Sequence, residues 1–211
     1  MPSAARLIAF ALTASVVIAI PGPSVLFVVG RALAGGRRVA LLSVVGNALG
    51  EYVQVIAVAI GIGALAEQSV AAFTTIKLLG GIYLIYLGYK TFRRRGLMVS
   101  AFTDGQVDRS HRRSFLEGFV VGVTNPKTVV FLAAILPQFT RHGANVPLQI
   151  LLLGVIFMAI ALVSDSVWAL AAGRFRGWFA SSPRRLELIG GTGGLAIAAV
   201  GAGVLVTGRR N

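Results

Sequence analysis

Six apolar runs, each long enough to cross a lipid bilayer as a helix, divide this 211-residue sequence. A bilayer core about 30 Å thick requires roughly 20 apolar residues per helical span. The runs cover residues 7–29, 39–65, 70–89, 115–136, 146–172 and 186–206. They lack the alternation of apolar and polar residues that is typical of membrane β-strands. The sequence therefore predicts a single all-α transmembrane domain that spans the membrane six times.

The composition argues against a soluble domain of this size. Hydrophobic residues make up 56% of the chain and charged residues only 13%, and the mean hydropathy is +0.82. Water cannot solvate that much apolar surface, so the chain needs lipid around it. Cysteine is absent, which excludes disulfides and thiolate metal sites.

The sequence also lacks two motifs that would indicate catalysis or nucleotide binding. Neither the GxxxxGK(S/T) loop that holds nucleotide phosphates nor the GxSxG motif of hydrolases is present. The two histidines, His111 and His142, are predicted to lie in loops, without the spacing of a metal site. We therefore expect no enzyme activity, no cofactor and no metal.

Positive charge is distributed unevenly between the connections of the apolar runs. The net charge is +13, and fourteen of the twenty Lys and Arg residues fall in the first, third and fifth connections, against four on the other side. The fourteen are Arg31, Arg37, Arg38, Lys90, Arg93, Arg94, Arg95, Arg109, Arg112, Arg113, Arg174, Arg176, Arg184 and Arg185. Because basic loops stay in the cytoplasm, we predict a bacterial inner-membrane protein with both termini outside and a cytoplasmic loop at about 93–113. The basic residues are assigned to lipid headgroups and not to nucleic acid.

Two acidic residues, Glu51 and Asp165, lie in the interior of predicted spans, away from the ends. A charged side chain at mid-bilayer costs about 2.5 to 3.5 kcal/mol on insertion scales. Polar residues of the second span recur at helical spacing and form one stripe: Ser43, Asn47, Gly50, Glu51 and Gln54. This stripe must face other helices or water. The carboxyl groups are predicted to carry protons, and hydrogen bonding between helices is the alternative. For Asn47 and Gln54 the sequence supports a functional role and hydrogen bonding between helices equally.

Prolines interrupt the first and the fourth apolar run. Pro21-Gly22-Pro23 lies inside the first run, and Asn125-Pro126-Lys127 lies near the middle of the fourth. Each proline removes an amide donor and clashes with the carbonyl group four residues earlier, so the helix is expected to break there. Inside a membrane such a break is tolerated only against protein or water. The breaks are either structural kinks or parts of a binding site.

A weak internal repeat relates the two breaks. The segment LLGG at 78–81 corresponds to LIGG at 188–191, and Gly22-Pro23 corresponds to Asn125-Pro126. Because each half contains three spans, the second copy is inverted in the membrane. Inverted repeats with broken helices are typical of secondary transporters, which bind substrate between their halves. The pattern predicts two inverted three-helix repeats with broken first and fourth helices.

These elements resemble, in order and over nearly the whole chain, those of the LysE/RhtB family of amino-acid exporters. Pro21-Gly22-Pro23 is similar to the family's PGP element, KLLGGIYLIYLG at 77–88 to its third-helix segment, and Asn125-Pro126-Lys127 to its NPK element. FLEGF at 115–119, PQF at 137–139 and Asp165 with Trp168 continue the pattern. The resemblance implies export of an amino acid or a close derivative in exchange for protons.

The breaks are predicted to form the site for the substrate carboxylate. A helix that restarts after a break presents free amides and a partial positive charge at its N-terminus. The predicted residues for substrate binding or proton coupling are Pro21, Gly22, Pro23, Ser24, Asn47, Glu51, Asn125, Pro126, Lys127 and Asp165. Lys127 contacts substrate, lies in water or pairs with Asp165; the sequence leaves these three arrangements open.

Two other functions also remain open at this point. The first is an ion or metal exporter that uses the same carboxylates as cation ligands, and the second is a non-transporting membrane scaffold. The sequence does not determine the exported amino acid, the coupling ion and its stoichiometry, the physiological regulation, or whether the chain forms homo-oligomers.

Overall fold

The structure of the protein is a computed structural model that describes residues 2–66, 70–93, 110–141, 145–175 and 182–206. Within these ranges the chain is all helical, as the sequence predicted, and contains no strand. The helices are α1 (Ala4–Ala19), α2 (Pro23–Gly35), α3 (Arg37–Ala66), α4 (Val70–Arg93), α5 (His111–Val123), α6 (Pro126–Ile135), α7 (Val146–Arg174) and α8 (Pro183–Val206), and a short 3-10 turn, Leu136–Phe139, follows α6.

The two predicted helix breaks are present. The chain bends by 54° between α1 and α2 and by 46° between α5 and α6. Pro23 and Pro126 each begin the helix that follows the break. Proline is favoured at this first helical position, because the amide that it lacks would have no partner within the helix.

The described helices supply two to four membrane spans. Arg37–Gly61 and Val146–Arg174 are each long and apolar enough to cross a bilayer, and each bent pair is long enough to form one further span. The predicted count of six spans and the inverted repeat therefore stay predictions.

Two helices extend beyond the predicted spans, at the basic ends of the third and fourth runs. Helix α5 begins at His111, four residues before the predicted span, so His111 lies in a helix and not in a loop. Helix α4 extends to Arg93, beyond the predicted end at residue 89. The rest of the predicted cytoplasmic loop, residues 94–109, and His142 lie outside the described residues.

Glycines bring α3 and α5 into backbone contact. Gly46 and Gly50 on α3 face Gly118 and Gly122 on α5, and a Cβ atom added at any of the four would collide with the backbone of the opposite helix. Small residues four apart are the usual means by which membrane helices approach this closely. The contact places the polar stripe of α3 directly beside the break at the end of α5.

Two apolar clusters enclose the polar stripe along the chain. One cluster includes Phe10, Phe131 and Phe157, and contains the later part of α3 and the earlier part of α7. The other includes Val28 and Ala169, with the earlier part of α3 and the later part of α7. The polar stripe of α3 therefore lies between two apolar layers.

Candidate functional site

The polar stripe of α3 faces the protein interior, as predicted. Ser43, Asn47, Glu51 and Gln54 are all buried, and Asp165 on α7 is buried as well. Only 4% of Glu51 and 3% of Asp165 are exposed. Both carboxyl groups are thus shielded from solvent.

Glu51 joins the two helix breaks. Its Oε1 atom accepts hydrogen bonds from the Thr128 hydroxyl at 3.0 Å and from the Asn125 amide at 3.3 Å, both at the start of α6. The Ser24 hydroxyl, at the start of α2, lies 3.5 Å from the same oxygen. One carboxyl oxygen of α3 therefore contacts the beginnings of both restarted helices.

Ser24 and Asn47 link this carboxyl group to the second one. The Ser24 hydroxyl lies 2.9 Å from Asn47 Oδ1 and accepts a hydrogen bond from Asn125 Nδ2 at 2.7 Å. Asn47 Nδ2 donates to Asp165 Oδ2 at 3.0 Å. Glu51 and Asp165 thus belong to a single buried network that contains residues of four helices.

Lys127 is buried between the breaks. Its ammonium group donates to the carbonyl oxygen of Ile20 at 2.7 Å, at the end of α1, an arrangement that none of the three sequence alternatives included. Gly22 makes room for it, because a Cβ atom at Gly22 would lie 3.0 Å from Lys127 Cδ. The Lys127 amide donates to Asn125 Oδ1 at 3.1 Å, so it is not one of the free amides that were predicted at this break.

Side chains from other helices donate hydrogen bonds to backbone carbonyl groups at the two breaks. Gln54 Nε2 lies 2.9 Å from the carbonyl oxygen of Gly122 and 2.7 Å from that of Val123. Trp168 Nε1 donates to the carbonyl oxygen of Ala19 at 3.3 Å. The breaks are therefore held open by partners within the protein, as a break inside a membrane requires.

A small cavity lies between the breaks. Its polar side is formed by Gly22, Ser24, Glu51, Asn125, Lys127, Thr128 and Asp165. Its apolar side is formed by Val17, Ile18, Val25, Phe131, Phe157 and Ala161. The structure thus gathers most of the predicted site residues around one cavity, and Asn47 is hydrogen bonded to two of them, Ser24 and Asp165.

A partly buried ion pair was missed by the sequence analysis. Arg31, predicted to lie in a basic connection, is instead part of α2 and buried. Its guanidinium group contacts the Glu117 carboxylate at 2.7 Å and the Ser114 hydroxyl at 2.6 Å. Glu117 lies in the fourth apolar run, where its acidic side chain was a signal that could have been used.

Comparison with protein families identifies the family of this chain. The family model of the LysE type translocator matches residues 15–208. The chain belongs to the LysE family. Members of this family are translocators and not enzymes. The family assignment confirms the predicted resemblance.

Relatives of this LysE-family chain include proteins named for efflux. A homoserine/homoserine lactone efflux protein of Salmonella typhimurium is 31% identical over 194 residues, which cover 92% of this chain and 93% of the relative. A leucine efflux protein of Klebsiella pneumoniae is 28% identical over 154 residues, with 72% and 68% covered. An uncharacterized membrane protein of Vibrio cholerae is 35% identical over 171 residues, with 80% and 82% covered. No solved structure matches the chain significantly.

The relatives' names and the apolar helices together identify a multi-pass membrane protein. In this LysE-family chain, the residues at the two breaks and the carboxyl groups of α3 and α7 are the polar groups that meet at the cavity.

Proposed function

We propose that this protein exports an amino acid or a close derivative across the bacterial inner membrane in exchange for protons. One observation carries the proposal: two carboxyl groups and one ammonium group line the same cavity between two helix breaks. Efflux of homoserine, homoserine lactone or leucine by relatives, as their names state, agrees with it.

The cavity offers a partner for each charge of an amino acid. The substrate ammonium is bound by Glu51 or Asp165, which belong to the same hydrogen-bond network. The substrate carboxylate is bound by Lys127 and by the N-terminus of α2. No side chain caps that helix end, so its amides and its partial positive charge can serve an anion.

The second carboxyl group then carries the coupling proton. Carboxyl groups inside a membrane are the usual proton carriers of transporters. Because Ser24 and Asn47 connect Glu51 with Asp165, binding of substrate at one carboxyl group can alter proton binding at the other.

The alternative functions have less support. A hard cation such as Ca²⁺ takes six to eight oxygen ligands, and several oxygens here are already hydrogen bonded to side chains of the network. A scaffold without transport would have no use for two carboxyl groups that are expensive to bury.

Transport by the purified protein tests this proposal. In proteoliposomes, we expect labelled amino acids to move when a proton gradient is imposed and to stop when the gradient is collapsed. Divalent cations should not move. Transport of divalent cations alone would overturn the proposal in favour of the ion exporter.

Competition tests the carboxylate site separately. An amine that keeps the substrate side chain but lacks the carboxylate should not compete for export, because it cannot occupy Lys127 and the end of α2. Equal competition by this amine would show that the two groups do not bind the carboxylate.

A further inference from the structure

The cavity changes from charged to apolar along α7. Asp165, Ala161 and Phe157 are four residues apart, so they lie on one face of the helix in successive turns. All three line the cavity. On α6, Thr128 and Phe131 also line the cavity. The Thr128 hydroxyl donates to Glu51, whereas the Phe131 ring packs against Phe157. On both helices the lining residues change from polar near the breaks to apolar farther away. The cavity therefore has a charged end at the breaks and an apolar end beyond them.

Aromatic and aliphatic side chains form the wall of the apolar end. The rings of Phe131 and Phe157 are stacked with centroids 5.6 Å apart, and both side chains are buried. Val17 and Ile18, from the last turn of α1, complete this wall. Every residue of this end is uncharged.

This inference rests on the proposed function, in which each charged residue of the cavity already has a role. The charged lining residues are Glu51, Lys127 and Asp165. The amino group, the carboxylate and the coupling proton of a transport cycle require one each. A second substrate ammonium would therefore be buried without a counter-ion, which is strongly unfavourable.

We infer that Phe131, Phe157 and Ala161 form the side-chain subsite of the transporter and select amino acids with uncharged, apolar side chains. Lysine and arginine are excluded because the described residues that line the cavity include no carboxyl group besides Glu51 and Asp165. Ala161 sets the depth of the subsite, because it is the small residue between the charged end at Asp165 and the ring of Phe157.

Substitution of Ala161 tests this inference. Ala161→Leu adds three carbon atoms at the subsite, and it should lower leucine export at least about tenfold while alanine export changes little, since even one misfitting methylene discriminates at this level. Val163→Leu is the matched control, because Val163 lies on the same helix but is 67% exposed. It should leave the export of both amino acids unchanged.

A second variant keeps the test informative if Ala161→Leu does not fold. Ala161→Gly enlarges the subsite and should raise the export of a bulkier substrate such as phenylalanine relative to alanine. An unchanged ratio would contradict the inference.

The substrate panel separates this inference from the proposed function. If no amino acid is exported, the proposed function fails. If lysine is exported as fast as leucine, or if Ala161→Leu lowers leucine and alanine export equally, amino-acid export stands but the apolar subsite is wrong. Leucine export without lysine export, with the expected shift in the variants, supports both.

Discussion

At the scale of single residues, the carboxyl groups of Glu51 and Asp165 accept hydrogen bonds from neutral side chains. Glu51 is bonded to the side chains of Thr128 and Asn125, and Asp165 to the amide of Asn47. Neutral hydroxyl and amide groups can reorient when a carboxyl group gains or loses a proton. Such an environment suits groups that change protonation during a transport cycle.

The neutral analogues of these residues give a direct test. Glu51→Gln and Asp165→Asn keep the shape and most hydrogen bonds but cannot titrate, so both proteins should insert normally, because neutral amides are easier to bury. Proton-driven export in proteoliposomes should be lost in each variant.

The matched control is Glu187→Gln, which makes the same chemical change on α8, away from the cavity, and should retain export. If both Glu51→Gln and Asp165→Asn export at the original rate with the original pH dependence, the carboxyl groups are only structural.

The sequence alone identified Glu51, Asn47 and Asp165 because polar residues stand out in apolar runs. It could not identify the bond from Lys127 to the Ile20 carbonyl, since that contact depends on how the two breaks face each other. The identity of a residue predicts that it needs a partner, but the partner is decided by tertiary packing.

At the scale of helices, the sequence predicts the breaks but not the register in which the glycines pack. A proline acts on its own helix, so Pro23 and Pro126 locate the breaks without tertiary information. The glycines of α3 and α5 indicate close packing, but their register against each other follows only from the structure. For the same reason the sequence did not show that Arg31 of α2 meets Glu117 of α5.

This ion pair predicts a strongly non-additive effect of substitution. Arg31→Met and Glu117→Met should each lower the free energy of unfolding in detergent by about 1–3 kcal/mol, because each removes the contact between the Arg31 guanidinium group and the Glu117 carboxylate. Fully buried pairs lose about 3–5 kcal/mol, but the Glu117 side chain is 36% exposed. The double variant should recover most of the loss, as apolar residues can replace a buried pair.

Arg113→Met provides the control for the ion pair. Arg113 also contacts Glu117, at 2.8 Å, but its side chain is 62% exposed, and exposed pairs contribute less than about 1 kcal/mol. Additive losses in the Arg31 and Glu117 variants would show that the two side chains stabilise the protein independently.

At the scale of the whole molecule, the structure slightly reduces the difference in basic residues between the two sides of the membrane, on which the predicted orientation depends. Arg31 is paired with Glu117 inside the protein, so thirteen basic residues, not fourteen, remain on the predicted cytoplasmic side against four. This bias is still large for the positive-inside rule, which counts Lys and Arg close to the ends of the spans. The predicted orientation, with both termini outside, therefore stands as a prediction.

Cysteine labelling in intact cells tests the orientation and the number of spans together. The sequence contains no cysteine, so each introduced thiol is the only one in the protein. Cysteines at Ser3, Asn145 and Asn211 should react with a membrane-impermeant reagent. Cysteines at Ser110 and Ser182 should react only after the membrane is opened, because the basic connections that contain them are expected to stay in the cytoplasm.

Labelling of Ser3 but not of Asn211 would mean an odd number of spans, which six helices cannot give. The reverse pattern at all five positions would keep the even number but invert the protein, and the proposed binding of substrate would then have to serve uptake.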